Sequence, residues 1–385
     1  MDYRRFGHFN SLIIEWKARR CRDPIQKLAY LQRAAKARSG FLWRPIRISW
    51  TWKLAAAFLV IFAVKTQTIT ETNADFPMAR PVAKKGGLPV NFISGNNVWI
   101  VETAGNHEIF SNGLQIENRF RTPNKPRSYV IFRDGADLDR PAERRSEPAG
   151  IVFHTSESHQ APLSADQNPV LTSIGRELLE LVNRNRAYHF VIDRFGRVFR
   201  IVPETDIANH AGYSVWADPK GIYLNLNHSF LGVSFEAATR KIEEGVYLSA
   251  AQINSGRLLV NMLVNKYKIP PANCVTHAQV SVDPRTMVIG DHIDGAGDFP
   301  FQELGLPDNY LLAIPSIYAF GFEYDPRFMM FAGTRMLKGL ILAEERFRRE
   351  AKAHHLSAVE YRKQLREKYR IDIATLKHLG IIKEN

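Results

Sequence analysis

Three stretches of this chain each offer a side chain that binds metal: Gly150-Ile-Val-Phe-His154-Thr155, Val275-Thr-His277 and Asp291-His292-Ile293-Asp294. Two neutral imidazoles and one anionic oxygen fill three positions around a hydrolytic zinc and leave a fourth open to water or substrate. Taken singly, none of the 12 histidines carries this reading, because a histidine at a strand end is more often a satisfied structural group than a ligand. His154 and His277 gain weight together, since each ends an apolar run, Ile151-Val-Phe and Cys274-Val. Strand ends are where open α/β sheets carry their sites. The two histidines stand too far apart for a local finger, and no His-Glu-x-x-His helix of the zinc-peptidase kind is present.

The elements that must position these residues follow from periodicity. Tyr188-His-Phe-Val-Ile-Asp-Arg-Phe-Gly-Arg-Val-Phe-Arg-Ile-Val-Pro203 reads as a β-hairpin with its turn at Arg194-Phe195-Gly196. A strand at 150–154 precedes a helix at about Thr172–Asn185, and a second strand runs over Phe230-Leu-Gly-Val-Ser-Phe-Glu236. Ser249-Ala-Ala-Gln252 is a capping box that opens a helix with the apolar face Ile253, Leu258, Leu259, Met262, Leu263 and Tyr267. Strands and helices mixed in this way predict an α/β (α+β) domain over 148–320, a mixed β-sheet flanked by helices.

The order of blocks goes further. Strand-His154-Thr155, Tyr188-His-Phe-Val-Ile-Asp-Arg-x-Gly, Asn209-His210-Ala211-Gly212, Leu231-Gly-Val-Ser-Phe235, Thr276-His277 and Asp294-Gly-Ala-Gly-Asp-Phe299 resembles the zinc-dependent N-acetylmuramoyl-L-alanine amidases of the type-2 amidase and peptidoglycan-recognition superfamily. The resemblance covers about residues 148–305. It implies an amidase core that binds Zn2+ and cuts the amide bond between N-acetylmuramic acid and L-alanine of the peptidoglycan stem. It implies the ligands His154, His277 and Asp294, with Asp291 as competitor for the third place because the preceding segment is longer than the family's. Phe299 then falls where the family has its aromatic residue, which favours Asp294.

Tyr188 matches the family tyrosine beside the scissile carbonyl, and its bland alternative is a strand aromatic that holds the sheet together. His292 stands where relatives have a lysine that steadies the oxyanion, and a protonated imidazole can do the same. Glu236, on the same sheet face as Ser234, is either a back-up acid/base or a charged sheet residue. The resemblance puts His210, Thr155 and Ser234 on the substrate side. A peptidoglycan-recognition protein that binds without cutting is the first rival, and a membrane scaffold working through its C-terminal helices is another.

Composition bounds the partners. The chain of 385 residues carries a formal charge of +13, but Lys and Arg exceed Asp and Glu by ten within residues 1–53 and by four within 344–385. The body between is nearly neutral, so it lacks the basic field that a phosphate backbone needs, and no nucleic acid partner is expected. Residues 1–47 read as a basic, helical cytoplasmic tail, and 48–68 as an uncleaved signal anchor built on the apolar run Leu54–Val64 behind Trp50 and Trp52. A buried core helix and a cleaved signal peptide are its alternatives, Thr72-Asn-Ala74 being a weak cleavage pattern. This predicts a single-pass protein of the cytoplasmic membrane with its catalytic domain in the periplasm or wall space. Residues 69–90, with Pro77, Pro81 and Pro89, read as a linker. Strands separated by Gly105-Asn106 and Asn112-Gly113 predict a small β accessory unit over 91–135, and 321–385 a helical C-terminal extension that packs on the core. Cys21 and Cys274 are not expected to pair.

Overall fold

The computed structural model describes residues 23–39, 97–132, 144–239, 248–297, 299–324, 328–329 and 332–382. In chain order the elements are α1 (Pro24–Ser39), β1 (Ile100–Ala104), β2 (His107–Phe110), β3 (Gln115–Glu117), β4 (Gly150–Thr155), α2 (Asn168–Asn185), β5 (Phe190–Ile192) and β6 (Val198–Arg200). They continue with β7 (Val215–Asp218), β8 (Gly221–Leu224), β9 (Phe230–Phe235), α3 (Ala250–Tyr267), β10 (Cys274–Thr276), α4 (His277–Val280), β11 (Val282–Asp283) and β12 (Val288–Ile289). The last are α5 (Pro315–Phe320), β13 (Glu323–Tyr324), α6 (Gly333–Ala353) and α7 (Ala358–His378).

Eight strands make the central sheet in the order β1-β2-β3-β6-β5-β9-β4-β10. β10, β4, β9 and β5 are parallel neighbours, and the β5–β6 hairpin adds the antiparallel step expected of 188–203. Its turn needs glycine twice over: Gly196 has φ +81°, and a Cβ there would lie 2.7 Å from the Ala251 carbonyl oxygen at the start of α3. α3 opens on the predicted capping box, with Ser249 accepting from the Gln252 amide and Gln252 accepting from the Ser249 amide.

Register decides which residues share a face. His154 pairs with Ser234 and Ser234 with Val191, so the three stand on one side of the sheet, and Phe153, Val233 and Phe190 on the other. α2 covers the first side, packing Leu178, Leu179 and Val182 with Val191 and Phe199. α3 covers the second, where Leu259 and Leu263 join Phe153 and Phe235 in the main core. Each such fully buried side chain stabilises the fold by about 1.5–3 kcal/mol. Strands β4, β5, β6, β9 and β10 are buried along their whole length, whereas β1 at the sheet edge is exposed.

Two expectations are corrected. The β unit of 91–135 is not separate: β3 pairs in parallel with β6, and Phe110, Leu114 and Ile116 enter the main core. The seam is also ionic, because buried Arg200 donates to Glu108, Asn118 and Glu204. The hairpin signals were local and contained nothing about this long-range partner. Secondly, the basic tail does not lie free of the body. α1 buries Leu28 and Leu31 in the main core, Asp23 pairs with Arg348 of α6 at 2.8 Å, and Lys27 lies over the Tyr324 ring.

Among the described residues no helix is long and apolar enough to cross a membrane, and the anchor expected at 48–68 lies outside them. Residues 1–36 and 91–385 make one compact unit; the second, Ala37–Val90, is outside the described residues apart from the end of α1. The C-terminal helices α6 and α7 pack on α5, with Phe320 and Phe322 meeting Tyr369 edge-on.

Candidate functional site

Parallel strands β4 and β10 end side by side, and each delivers a histidine. His154 is the penultimate residue of β4, and His277 follows β10 as the first residue of α4, their rings 4.6 Å apart. Asp294 reaches them from the loop after β12. Its Oδ2 lies 2.8 Å from His154 Nδ1 and its Oδ1 2.8 Å from His277 Nδ1. The loop is fixed to the helix by its backbone, the Ala278 amide donating to the Asp294 carbonyl. All three residues are buried, and their ligand atoms fall within 4.8 Å of one another.

Asp291 stands apart from this set. The Asp291 side chain is half exposed, lies 3.7 Å from His292 Nε2 and is not among the converging atoms. The set of two imidazole nitrogens and one carboxylate fits a divalent zinc. Two further features agree with it. Burial lowers His154 to about 4, with Asp294 opposing, so its ring is neutral near pH 7, and buried His277 Nε2 has no hydrogen-bond partner. The charges of the two histidines and their hydrogen bonds outweigh burial to hold the Asp294 carboxyl well below the usual carboxylate range.

Tyr188 adopts φ +60°, a left-handed conformation uncommon for a bulky residue, and its ring lies 4.9 Å from that of His154. Burial first, and Asp294 second, raise its phenol above the ordinary value, so it stays a hydrogen-bond donor. Ser234 Oγ is buried without a hydrogen bond of normal geometry, yet lies near enough to Tyr188 to ease its ionisation slightly. His210 comes in from the other side, its Nδ1 3.2 Å from His154 Nε2 and its Nε2 3.3 Å from the Phe230 carbonyl oxygen. His292 is exposed and lies flat on His277, with ring centroids 4.6 Å apart and planes inclined by 20°. Burial and the neighbouring His277 lower its pKa.

Two predicted residues are engaged elsewhere. Glu236 shares the His154 face, but its carboxyl accepts from the Arg194 amide and packs on Gly175 of α2. Thr155 donates to Glu157 Oε1 and meets Thr239 Oγ1 at 2.8 Å, a polar knot rather than an open groove wall. The knot still serves the site, because the Gly295 amide donates to Thr239 Oγ1 beside Asp294.

Other positioning residues carried no sequence signal of their own. Asn227 Oδ1 accepts from the amides of His210, Ala211 and Gly212, at 2.8, 2.6 and 3.3 Å, and so shapes the His210 loop. Buried Arg127 donates to the carbonyls of Glu204, Asp206, His228 and Phe230 and approaches His189 Nε2 at 2.7 Å, behind Tyr188.

Residues 144–287 match the profile of the family described as N-acetylmuramoyl-L-alanine amidase; the match ends before Asp294. The chain is 30% identical over 112 residues to the N-acetylmuramoyl-L-alanine amidase AmiD of Escherichia coli K12, covering 28% of this chain and 37% of that protein. It thus spans little more than a third of the length of that curated relative. Among solved structures, the Escherichia coli AmiD complex with anhydro-N-acetylmuramic acid-L-Ala-D-gamma-Glu-L-Lys aligns at a TM-score of 0.35 and 18% identity, over 57% of this chain and 98% of its own. AmpDh3 of Pseudomonas aeruginosa, in complex with an anhydromuramic pentapeptide, aligns at 0.31 and 21% identity, over 46% of this chain and 64% of its own.

Proposed function

We propose that residues 144–287, which match the N-acetylmuramoyl-L-alanine amidase family, belong to the catalytic domain of a zinc-dependent N-acetylmuramoyl-L-alanine amidase that frees stem peptides from peptidoglycan. The observation that carries this reading is the convergence of His154, His277 and Asp294 at the ends of β4 and β10. These three would hold the zinc, which when bound supplies Lewis acidity towards water and towards the lactyl carbonyl of N-acetylmuramic acid.

The chain's own groups account for the rest. Water contributes the oxygen that ends on the lactyl carboxylate and the proton that ends on the L-alanine amine, as the C–N bond breaks. Neutral Tyr188 donates a hydrogen bond to the oxygen that gains charge, and its position is set by the left-handed backbone and by contact with His154. His292, on the solvent side of His277, adds a second donor there when protonated. His210, shaped by Asn227, lines the groove on the muropeptide side. The enzyme works where peptidoglycan lies, in the periplasm or wall space. Since α1 packs with α6 in the main core, this proposal has residues 48–68 attach to the membrane from the catalytic side rather than cross it once.

The test incubates the full chain with purified peptidoglycan, with and without a zinc chelator, and reads the products by mass spectrometry. Free stems beginning at L-alanine, lost on chelation and restored by zinc, are expected. Zinc-loaded protein that is retained on the wall and releases no stem would replace this reading with a recognition protein.

A further inference from the structure

We infer that Asn309 and Tyr310, together with the C-terminal helix α6 that covers them, form a brace that presets the metal ligands His277 and Asp294. The inference rests on the reading of His154, His277 and Asp294 as a metal site. Neither residue touches the ligand atoms, and both lie beyond the matched family segment.

Tyr310 is fully buried, and its hydroxyl does two tasks at once: it donates to the Gly295 carbonyl and accepts from the Phe299 amide at 3.2 Å. It therefore closes the turn that begins at Asp294. Gly295, at φ +74°, leaves no room for error, because a Cβ on it would lie 2.8 Å from Thr276 Cβ, next to His277.

Asn309 serves the other ligand. Its side-chain amide donates to the carbonyls of Pro271 and Cys274, both at 2.7 Å, which anchors β10. Its backbone carbonyl accepts from Gln279 Nε2, and Gln279 in turn accepts from the Thr276 amide in the capping box that opens α4 at His277. One dipeptide thus reaches both ligand segments.

α6 holds the dipeptide from outside. Arg335 lies over the Tyr310 ring at 5.4 Å and pairs with Asp308 at 3.3 Å. Gly339 lets the helix rest on the backbone, since a Cβ there would lie 2.4 Å from the Tyr310 carbonyl oxygen and 2.5 Å from that of Leu312. The extension is therefore a support for the metal centre. Groups that orient ligands from behind typically change metal affinity about 10–100-fold when removed.

The experiment measures zinc affinity of the full chain by competition with a chromogenic chelator, and the visible spectrum of the cobalt-loaded protein, for wild type, Tyr310→Phe and Gly339→Ala. Tyr310→Phe keeps the ring and removes the hydroxyl that makes these two hydrogen bonds. The expected result is zinc affinity weakened about 10-fold or more in both variants, with a changed cobalt spectrum. Folding is checked by melting the metal-free proteins, and a variant that does not fold is replaced by Asn309→Asp, for which the same loss is expected. Folded variants with wild-type affinity and spectrum overturn the brace alone. Wild type that binds no zinc overturns the metal reading, and the brace with it.

Discussion

Gly232 has no side chain because His210 occupies the place where one would be: a Cβ on Gly232 would lie 2.6 Å from Cγ of the His210 ring and 2.9 Å from its Cδ2. His210 is seated directly on β9, two residues before Ser234. Gly232→Ala should push the ring out of its contact with His154 Nε2, while the strand itself tolerates alanine. The expected outcome is a melting temperature lowered by a few degrees, as about 1–2 kcal/mol of overpacking gives, and stem release reduced at least about 10-fold. Mass-spectrometric rates and thermal melts on one preparation check both.

His292→Ala separates chemistry from stability. Its ring is exposed and touches the metal set only by stacking on His277. Melting should be unchanged, since solvent-facing substitutions usually stay within about 0.5 kcal/mol. If the imidazole steadies the developing negative charge, the turnover rate should fall on the order of 100-fold. An unchanged turnover would remove His292 from the mechanism and leave Tyr188 as the donor.

Glu236 predicts a pH dependence of stability. Burial raises its carboxyl from 4.5 to about 7, while the Arg194 amide opposes. The folded protein therefore keeps a proton that the unfolded chain gives up, and stability falls as pH rises from about 4.5 to about 7. Glu236→Gln should flatten that fall by on the order of 2 kcal/mol. Denaturant melts at pH 5 and pH 8 measure it, and equal slopes with pH in the two proteins would dismiss the buried proton.

The docked N-terminal helix predicts a cost in the body of the protein. Leu28 is fully buried in the main core. Leu28→Ala should destabilise the single cooperative unit by about 2–3 kcal/mol, visible in tryptophan-detected melting. A tail free of the body would leave the melt where it was.

Much of the core was legible because its signals are local. The hairpin at 188–203, the capping box at Ser249 and the glycine turns are each fixed by a few neighbouring residues, and each stands where the local signals placed it. His154, His277 and Asp294 were singled out through block order, with Phe299 favouring Asp294 over Asp291, and the fold brings these three together. What was not legible is pairing across the chain. Nothing in Gln115-Ile-Glu117 names β6 as its partner, and nothing in Leu28 or Leu31 names α6. The supports at Asn227 and Asn309 were hidden for the same reason. Asparagine is the usual residue for satisfying irregular backbone, so its presence does not say which backbone.

The seating of α1 also fixes an order of events. Asp23 and Arg348, which it brings together, are 325 residues apart in the chain. Leu28 and Leu31 close a core to which α6 contributes Met336, Leu337 and Leu340, so α1 takes its final place only after residues made far later have folded. The first described helix of the chain is thus among the last pieces to be set.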